Sequence, residues 1–326
     1  MKRFALYVLL ALGLIAGLAA FQNSSLLAPK LTERPVLLAH RGLAQTYSAE
    51  GIDAATCTAT RIDPPEHRYI ENTIASMEAA FAAGADIVEI DVHPTRDGQF
   101  AVFHDWTLEC RTNGAGTTRD KTMGELKALD IGHGYTADGG KSFPFRGQGI
   151  GPMPSLDEVL DRLPNQRLLI NVKSRDAQEG RSLAQRLSQL PPERLARLMV
   201  YGGEPPVAAL REALPSLVTM SAQAEKRCLM RYLAMGWAGI TPDECAKQLL
   251  LIPSNYTKWL WGWPERFTAR MRAVGSEVIV AGPLVGGEVS TGIDRAEDLA
   301  RLGRPLPGIW TNRIDRIAPL VKAATP

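Results

Sequence analysis

The sequence predicts an α/β fold: a TIM-type (β/α)8 barrel with one local distortion, preceded by an N-terminal hydrophobic segment. From Arg34 onward, short apolar runs alternate with helical patterns, which is typical of a parallel sheet covered by helices. The strand-like runs number about eight over this length, which favours a closed barrel. Neither GxGxxG nor GxxxxGK[ST] follows an early strand, which argues against a nucleotide-binding open sheet.

The N-terminus differs from the rest of the chain. Lys2 and Arg3 precede an uncharged apolar run over residues 4–21. Residues 1–25 are therefore predicted to be a signal peptide or a membrane anchor, with an uncleaved anchor slightly favoured. Either segment predicts an exported protein, periplasmic or extracellular, with residues 4–21 as the candidate anchor in the inner membrane.

Composition indicates a globular protein that acts on a small molecule. The chain has 326 residues, 45% of them hydrophobic, and a net charge of +2. Charges of both signs are scattered, so no nucleic-acid partner is expected, whereas the N-terminal segment allows membrane contact. The economical description is one barrel domain over residues 34–322. The oligomeric state stays open.

The predicted elements follow one another with two interruptions. Residues 43–69 and 132–154 look inserted, and long irregular segments of this kind cover active sites or are disordered. The elements are, in order, PVLLAH, NTIASMEAAFAAG, DIVEIDV, QFAVFHD, SLDEVLDRL, RLLINVK, SLAQRLSQL, LARLMVY, PPVAALREAL, SLVTMSA, CLMRYLAMG, FTARMRAVGSEVIVAG and GIWTNRID.

Four cysteines in an exported chain permit two disulfides. Three pairings are open from the sequence alone. We favour Cys57 with Cys110 and Cys228 with Cys245, because each pair joins neighbouring segments.

Two acidic residues stand out within a strand. Glu89 and Asp91 are two apart, so both carboxylates point to one face. Burying two such charges costs several kcal/mol unless a positive group lies between them. Ca²⁺ or Mg²⁺, with oxygen ligands, is the usual solution, and a bridging arginine or lysine is the alternative.

Two histidines are predicted near these carboxylates. His40 follows the first strand directly, and the Asp97-Gly98 turn signal would fold the next two runs into a hairpin that brings His104 roughly opposite Glu89. Two histidines facing one site suit a general base and a general acid. His93, which precedes a proline, is expected at the rim.

Further polar residues lie at predicted strand ends. Arg41 offers a planar donor fork for a phosphate, while Asn171 and Lys173 share a face and offer an amide oxygen and a cation. Glu71 opens a helix and by itself is explained by ordinary capping.

The tryptophans of WLWGWP alternate along the chain. Trp259, Trp261 and Trp263 are interpreted as packing of a loop against the barrel, with a cation-π wall or contact with a membrane surface as the alternatives.

In combination, these motifs resemble the glycerophosphodiester phosphodiesterase family of phospholipase C-like TIM-barrel phosphodiesterases. The resemblance is strong from Val36 to Lys173, and the C-terminal TNRID is similar to the family's last-strand motif. It implies metal-dependent hydrolysis of a glycerophosphodiester to glycerol 3-phosphate and an alcohol. The motifs are HRG, ENT, EIDV, TRDG, FHD and MPSLDEVL.

The resemblance also implies roles for individual residues. By position, His40 and His104 match the catalytic histidines, Arg41 the phosphate contact, Glu89 and Asp91 the metal ligands, Glu71 the glutamate beside the metal, and Lys173 the lysine that follows the third ligand.

One departure from the family pattern lies in the metal site. The family has a glutamate two residues before the lysine, where this chain has Asn171, so the ion loses one negative ligand. Two alternatives stand beside the main hypothesis: a sphingomyelinase-D-like phospholipase on the same barrel and, because of Asn171, a catalytically weak phosphodiester-binding barrel.

Overall fold

A parallel barrel dominates the structure. The computed structural model describes residues 2–31, 34–48, 50–52, 56–284, 291–303 and 305–323. Within them the strands are β1 Val36–Ala39, β2 Ile87–Pro94, β3 Phe100–Val102, β4 Arg167–Val172, β5 Leu198–Gly202, β6 Val218–Met220, β7 Leu249–Pro253, β8 Glu277–Ala281 and β9 Gly308–Thr311.

Helices surround the strands. They are α1 Lys2–Gln22, α2 Ile74–Ala83, α3 Met123–Lys127, α4 Leu156–Arg162, α5 Ala177–Leu187, α6 Pro192–Leu195, α7 Glu204–Ala213, α8 Ala222–Met235, α9 Glu265–Ala273, α10 Ala296–Leu302 and α11 Ile314–Ala323.

Eight parallel strands form a nearly closed ring in the order β6-β5-β4-β2-β1-β9-β8-β7. The ends of this row meet at a parallel bridge between Thr219 and Gln248, where the Thr219 N–H also donates to the Lys247 carbonyl (3.1 Å). The predicted barrel is confirmed. Its β7 strand, within QLLLIP, was not among the predicted elements.

The remaining strand, β3, pairs antiparallel with β2 and forms the predicted hairpin. His93 lies opposite Ala101, and the Phe103 N–H donates to the Asp91 carbonyl (3.0 Å). His104 therefore comes to the same end of β2 as the carboxylates, close to its predicted position.

Two apolar layers explain why the strands are almost continuously hydrophobic. One set of side chains fills the barrel interior, and the other packs between the strands and the outer helices, as expected for a sheet buried on both faces. The interior set includes Leu38, Ile87, Leu169, Met199, Leu249, Ile279 and Trp310. The outer set includes Val88, Ile90, Val92, Leu168, Ile170, Leu183, Leu210 and Ile317.

The two inserted segments build a separate small core. Ala59, Ile62, Tyr135 and Phe145 from these segments pack with Leu108 and other buried residues. Disulfides join Cys57 to Cys110 and Cys228 to Cys245, which confirms the favoured pairing.

Helix α1 is apolar and lies outside the barrel. Over Arg3–Gln22 it is long and apolar enough to cross a membrane, by length and composition, and none of that window is buried in the protein. Its carboxyl end contacts the barrel through the segment Gly236–Ala238.

Candidate active site

The site lies at the carboxyl ends of the parallel strands, where a barrel collects functional side chains. Ile87 fills the barrel interior, so Glu89 and Asp91, at alternate positions of β2, continue the same inward face. Both carboxylates are fully buried. The prediction that they share a face is confirmed.

His40 is held by the last strand. Its Nδ1 lies 2.6 Å from Asn312 Oδ1, and its ring centroid lies 4.9 Å from that of Trp310. Asn312 donates its own amide to Asp294 Oδ2 (2.8 Å), so its carbonyl oxygen faces His40. This arrangement places the His40 proton on Nδ1 and leaves Nε2 as the free acceptor, 3.9 Å from Glu89 Oε2.

His104 is held by its neighbour in the chain. Its Nδ1 lies 2.5 Å from Asp105 Oδ1, and the other oxygen of Asp105 pairs with Arg111 Nη1. A carboxylate on Nδ1 fixes the orientation of an imidazole and directs Nε2 towards the site.

Both histidines are neutral at pH 7. Burial, reinforced by the positive charge of Arg41, lowers the pKa of His40 to about 3 and that of His104 to about 4. Each Nε2 can therefore accept a proton in the site as it stands.

Glu89 is the carboxylate with the weakest compensation. It accepts hydrogen bonds from Tyr201 Oη (2.7 Å) and from the Arg41 backbone N–H (3.2 Å). Burial and the neighbouring charge of Asp91 raise the pKa of Glu89 to about 8. A cation close to Glu89 would therefore be electrostatically favourable.

Asp91, by contrast, is surrounded by donors. Asn72 Nδ2 and Asn171 Nδ2 each lie 2.9 Å from its oxygens, Arg41 Nε lies at 3.2 Å and Lys173 Nζ at 3.5 Å. Burial raises the pKa of Asp91, but Lys173 and Arg41 outweigh it and hold the pKa well below its usual range. Asp91 is therefore ionised.

Glu71 lies between two arginines. Its Oε1 is 3.0 Å from Arg41 Nη1 and 3.3 Å from Arg111 Nη2. Burial raises the pKa of Glu71, and the charges of Arg111 and Arg41 produce a net lowering. Arg111 thus links the Glu71–Arg41 pair to the Asp105–His104 pair.

The turn after β1 has an unusual backbone. Arg41 adopts φ 58°, and Gly42 follows with φ 82°. A Cβ on Gly42 would come within 2.6 Å of Ser76 Oγ, so glycine is required for this close approach. Left-handed non-glycine residues such as Arg41 cost about 1–3 kcal/mol and cluster at functional sites.

The donor chemistry fits a hard divalent cation at one point of the site. Glu89 and Asp91 offer carboxylates, and Asn171, directly opposite Asp91 in the β2–β4 register, offers an amide oxygen if its side chain turns over. Across the residues that the structure describes, no three His, Cys, Asp or Glu side chains converge as a ready metal cluster. Glu71 is already engaged by arginines.

A cavity of about 110 Å³ opens beside His40. Residues of the first inserted segment form part of its wall, as expected of an irregular segment that covers a site. Its lining includes His40, Arg41, Gln45, Tyr47, Glu71, Asp294 and Asn312.

One prediction near the site was wrong. His93, expected at the rim, is buried, with its Nε2 3.2 Å from the His104 carbonyl and its ring against Trp106. The hairpin turns the His93 side chain under the Trp106 ring, which covers it.

Five residues of the site were not predicted from the sequence. Asp105 had a local signal, because it directly follows His104, and Asn312 lies in the TNRID motif. Asn72 lies in the ENT motif, directly after Glu71. Nothing in the local pattern marks Arg111 or Tyr201, which only the fold brings to the carboxylates and histidines.

Comparison with known proteins relates part of the chain to one family. Residues 40–198 match the Glycerophosphoryl diester phosphodiesterase family. A glycerophosphodiester phosphodiesterase of Bacillus subtilis is 34% identical over 184 residues, covering 54% of this chain and 53% of that protein. One from Caldanaerobacter subterraneus is 40% identical over 103 residues, covering 32% of this chain and 39% of its own length. The chain thus spans about half or less of these curated relatives.

Solved structures share the fold over most of the chain. A glycerophosphoryl diester phosphodiesterase domain from Mycobacterium tuberculosis covers 88% of this chain and 99% of its own, with a TM-score of 0.61 and 19% identity. An Oleispira antarctica phosphodiesterase in complex with the product sn-glycerol-3-phosphate covers 89% and 97%, with a TM-score of 0.55 and 18% identity. Over residues 40–198, just under half of its length, this chain is similar to the Glycerophosphoryl diester phosphodiesterase family.

Proposed function

We propose that the protein hydrolyses glycerophosphodiesters to glycerol 3-phosphate and an alcohol. The observation that carries this proposal is the pair of oriented histidines beside buried carboxylates. His40 and His104 have their Nδ1 atoms held by oxygen acceptors, at the strand ends that also bear Glu89 and Asp91. The activity named for the Bacillus subtilis relative and the product bound to the Oleispira antarctica structure support the same chemistry.

The two histidines divide the proton transfers. One imidazole Nε2 takes the proton of the attacking hydroxyl, and the other histidine gives a proton to the departing alcohol oxygen. The donor must first be protonated, and the negative charge of a bound phosphodiester raises an imidazole pKa in this direction. The attacker is either the glycerol 2-hydroxyl, which gives a cyclic phosphate that water opens, or water itself.

Arg41 and Lys173 would bind the phosphate. Arg41 is fixed by Glu71 and Asp91, and Lys173 lies 3.5 Å from Asp91. A guanidinium held in this way loses little rotational freedom when its remaining donors bind phosphoryl oxygens.

Glu89, Asp91 and Asn171 would hold a divalent ion, Ca²⁺ or Mg²⁺. When bound, such an ion neutralises negative charge on the phosphoryl oxygens. Asn171 contributes no charge, so the chain's own residues supply fewer negative ligands than the family pattern. Glu71 remains a candidate ligand, with two arginines to displace.

The N-terminal helix supports a location outside the cytoplasm. Lys2 and Arg3 precede the apolar stretch, and basic residues stay on the cytoplasmic side of a span. The barrel would then lie on the periplasmic or extracellular side, where its two disulfides are stable.

A substrate and metal panel tests the proposal. The purified full chain is given glycerophosphocholine, glycerophosphoethanolamine or sphingomyelin, each with Ca²⁺, Mg²⁺ or a chelator. Release of glycerol 3-phosphate that the chelator abolishes is the expected result. Cleavage of sphingomyelin alone would identify the sphingomyelinase-D-like alternative, and binding without turnover under every condition would identify the phosphodiester-binding barrel. A trapped cyclic phosphate would identify the 2-hydroxyl as the attacker.

A further inference from the structure

An exposed apolar patch surrounds the carboxyl end of α1. We call it the tryptophan patch and define it as Met235, Trp237, Ile240, Trp259 and Trp261. Trp237 is 39% exposed, Trp259 is 64% exposed and Trp261 is 40% exposed. Large apolar side chains exposed together mark a surface that meets another apolar phase.

Hydrogen bonds place the patch and α1 in one unit. The Asn23 Nδ2 donates to the Trp237 carbonyl (3.0 Å). The Trp261 Nε1 donates to the Leu233 carbonyl (2.9 Å), and the Trp261 carbonyl accepts from Tyr232 Oη (2.8 Å). Trp237 is thus bound to Asn23, directly after α1, and Trp261 is bound to α8.

Two arginines of α9 complete the attachment. Buried Arg270 donates to the Gln22 carbonyl (2.8 Å) and to Asn23 Oδ1 (2.8 Å), and Arg266 donates to the Gln22 carbonyl (3.1 Å) and the Leu27 carbonyl (2.8 Å). Cations are favourable at a helix carboxyl end, where carbonyls lack partners. The end of α1 is therefore attached directly to the barrel surface, without a flexible linker.

Because no flexible linker separates α1 from the barrel, the position of α1 determines where the patch must lie. A helix of 21 residues is about 32 Å long at ~1.5 Å per residue, which matches a hydrocarbon core of about 30 Å. If α1 crosses a bilayer, Gln22 lies at its surface. The patch, joined to Gln22 and Asn23 by direct contacts, then lies at the level of the lipid headgroups.

We propose that α1 is a retained anchor and that the tryptophan patch inserts into the headgroup layer of the same bilayer. Tryptophan is the side chain most suited to that layer, because its ring is apolar and its N–H is polar. The exposed stretch AMGWAGI over residues 234–240 carries no charge. Lys258 Nζ, 5.4 Å from the Trp259 ring, adds a cation for anionic lipids.

The patch spans both connections of β7. Met235, Trp237 and Ile240 precede the strand, and Trp259 and Trp261 follow it. The patch would thus hold the side of the barrel around β7 against the membrane.

Tryptophan fluorescence tests the proposal on the full chain. The protein is placed in phosphatidylcholine nanodiscs whose acyl chains carry bromine near the headgroup or deeper in the core. We expect the shallow bromine to quench more emission than the deep one. The triple substitution Trp237→Phe, Trp259→Phe and Trp261→Phe should remove most of the quenched emission. Trp106→Phe is the control, because Trp106 is 42% exposed but lies beside His93, outside the patch. This variant should retain the quenched emission.

Two results would overturn the proposal. One is equal quenched fractions in the wild type and the triple variant; the other is release of the wild-type chain from the nanodisc by alkaline carbonate. The wild-type comparison of shallow and deep bromine stands even if the triple variant fails to fold. Quenching requires no turnover, so this test and that of the proposed hydrolysis fail separately.

Discussion

Asn171 donates its side-chain amide to Asp91 across 2.9 Å, from the directly opposite position of the neighbouring strand. The amide therefore neutralises part of the Asp91 charge in the place where the family pattern has a third carboxylate. Lys173 and Arg41 complete the compensation, which is the bridged arrangement considered as the alternative to a metal.

In Asn171→Glu, the donor that compensates Asp91 is replaced by another carboxylate. The stability of this variant should therefore depend on a bound metal ion. In chelator, a third buried carboxylate beside Asp91 should lower the free energy of unfolding by about 1–3 kcal/mol. With Ca²⁺ or Mg²⁺, the thermal midpoint should rise more than that of the wild type. Asn165→Glu, at an exposed position near the start of β4, is the matched control. Equal metal-dependent shifts in the Asn171 and Asn165 variants would contradict the assignment.

Most of the fold could be predicted because apolar periodicity reports directly on burial. Val88, Ile90 and Val92 contact helices while Ile87 faces the barrel interior, and both layers appear in the sequence as one hydrophobic run. The strand β7 escaped prediction because its run, LLLIP, is separated from the preceding helix α8 by an irregular stretch that ends in the polar residues Lys247 and Gln248.

The Asp105 carboxylate should act on turnover through His104. Asp105→Asn keeps the shape of the side chain but removes the charge that orients the Nδ1 proton and pairs with Arg111. We expect kcat for glycerophosphocholine to fall by about 10²-fold or more, with KM changed far less. Asp120→Asn, on the surface, serves as the control. A change confined to KM would remove Asp105 from this role.

The unpredicted part of the site consists of residues whose partners are remote in sequence. Arg111 lies 40 residues from Glu71, and Tyr201 lies 112 residues from Glu89. The spacing of two residues within one strand identified Glu89 and Asp91. A contact that forms only when the barrel closes leaves no such local pattern in the sequence. Asn171 and Lys173 were accessible because they share the inward face of one strand.

The two disulfides should differ in their effect on activity. Arg111 adjoins Cys110, and Thr58, which accepts from Arg111 Nη2 (2.7 Å), adjoins Cys57. Replacing Cys57 and Cys110 by serine should cost about 2–4 kcal/mol of unfolding free energy and also lower kcat.

Replacing Cys228 and Cys245 by serine is the matched control. This pair joins α8 to the segment before β7, and it should lower stability with kcat retained in the folded fraction. If both double variants keep the wild-type kcat, the first disulfide does not support the position of Arg111.

Glu225 should make stability depend on pH. It accepts the Leu251 N–H (2.6 Å) near the seam between β6 and β7, and burial raises the pKa of Glu225 to about 8. The folded state keeps a proton that the unfolded state has lost above about pH 4.5, so stability falls as pH rises from about 4.5 to 8.

Glu225→Gln should remove this dependence. The amide still accepts the Leu251 N–H but cannot ionise, so its stabilisation should be about 1–3 kcal/mol larger at pH 8 than at pH 5. Thermal unfolding at both pH values measures the difference, with Glu212→Gln on the exposed surface as the control. A pH-independent effect would show that Glu225 ionises normally in the folded protein.

Our proposal for the mechanism is that His40 and His104 carry the proton transfers of phosphodiester hydrolysis. Its most direct test is the turnover of glycerophosphocholine by His40→Ala, His104→Ala and, as the control, His133→Ala, whose histidine is more exposed. We expect kcat to fall by about 10²–10⁴-fold in the first two variants and to be retained in the third. Near wild-type turnover in either His40→Ala or His104→Ala would contradict the proposal.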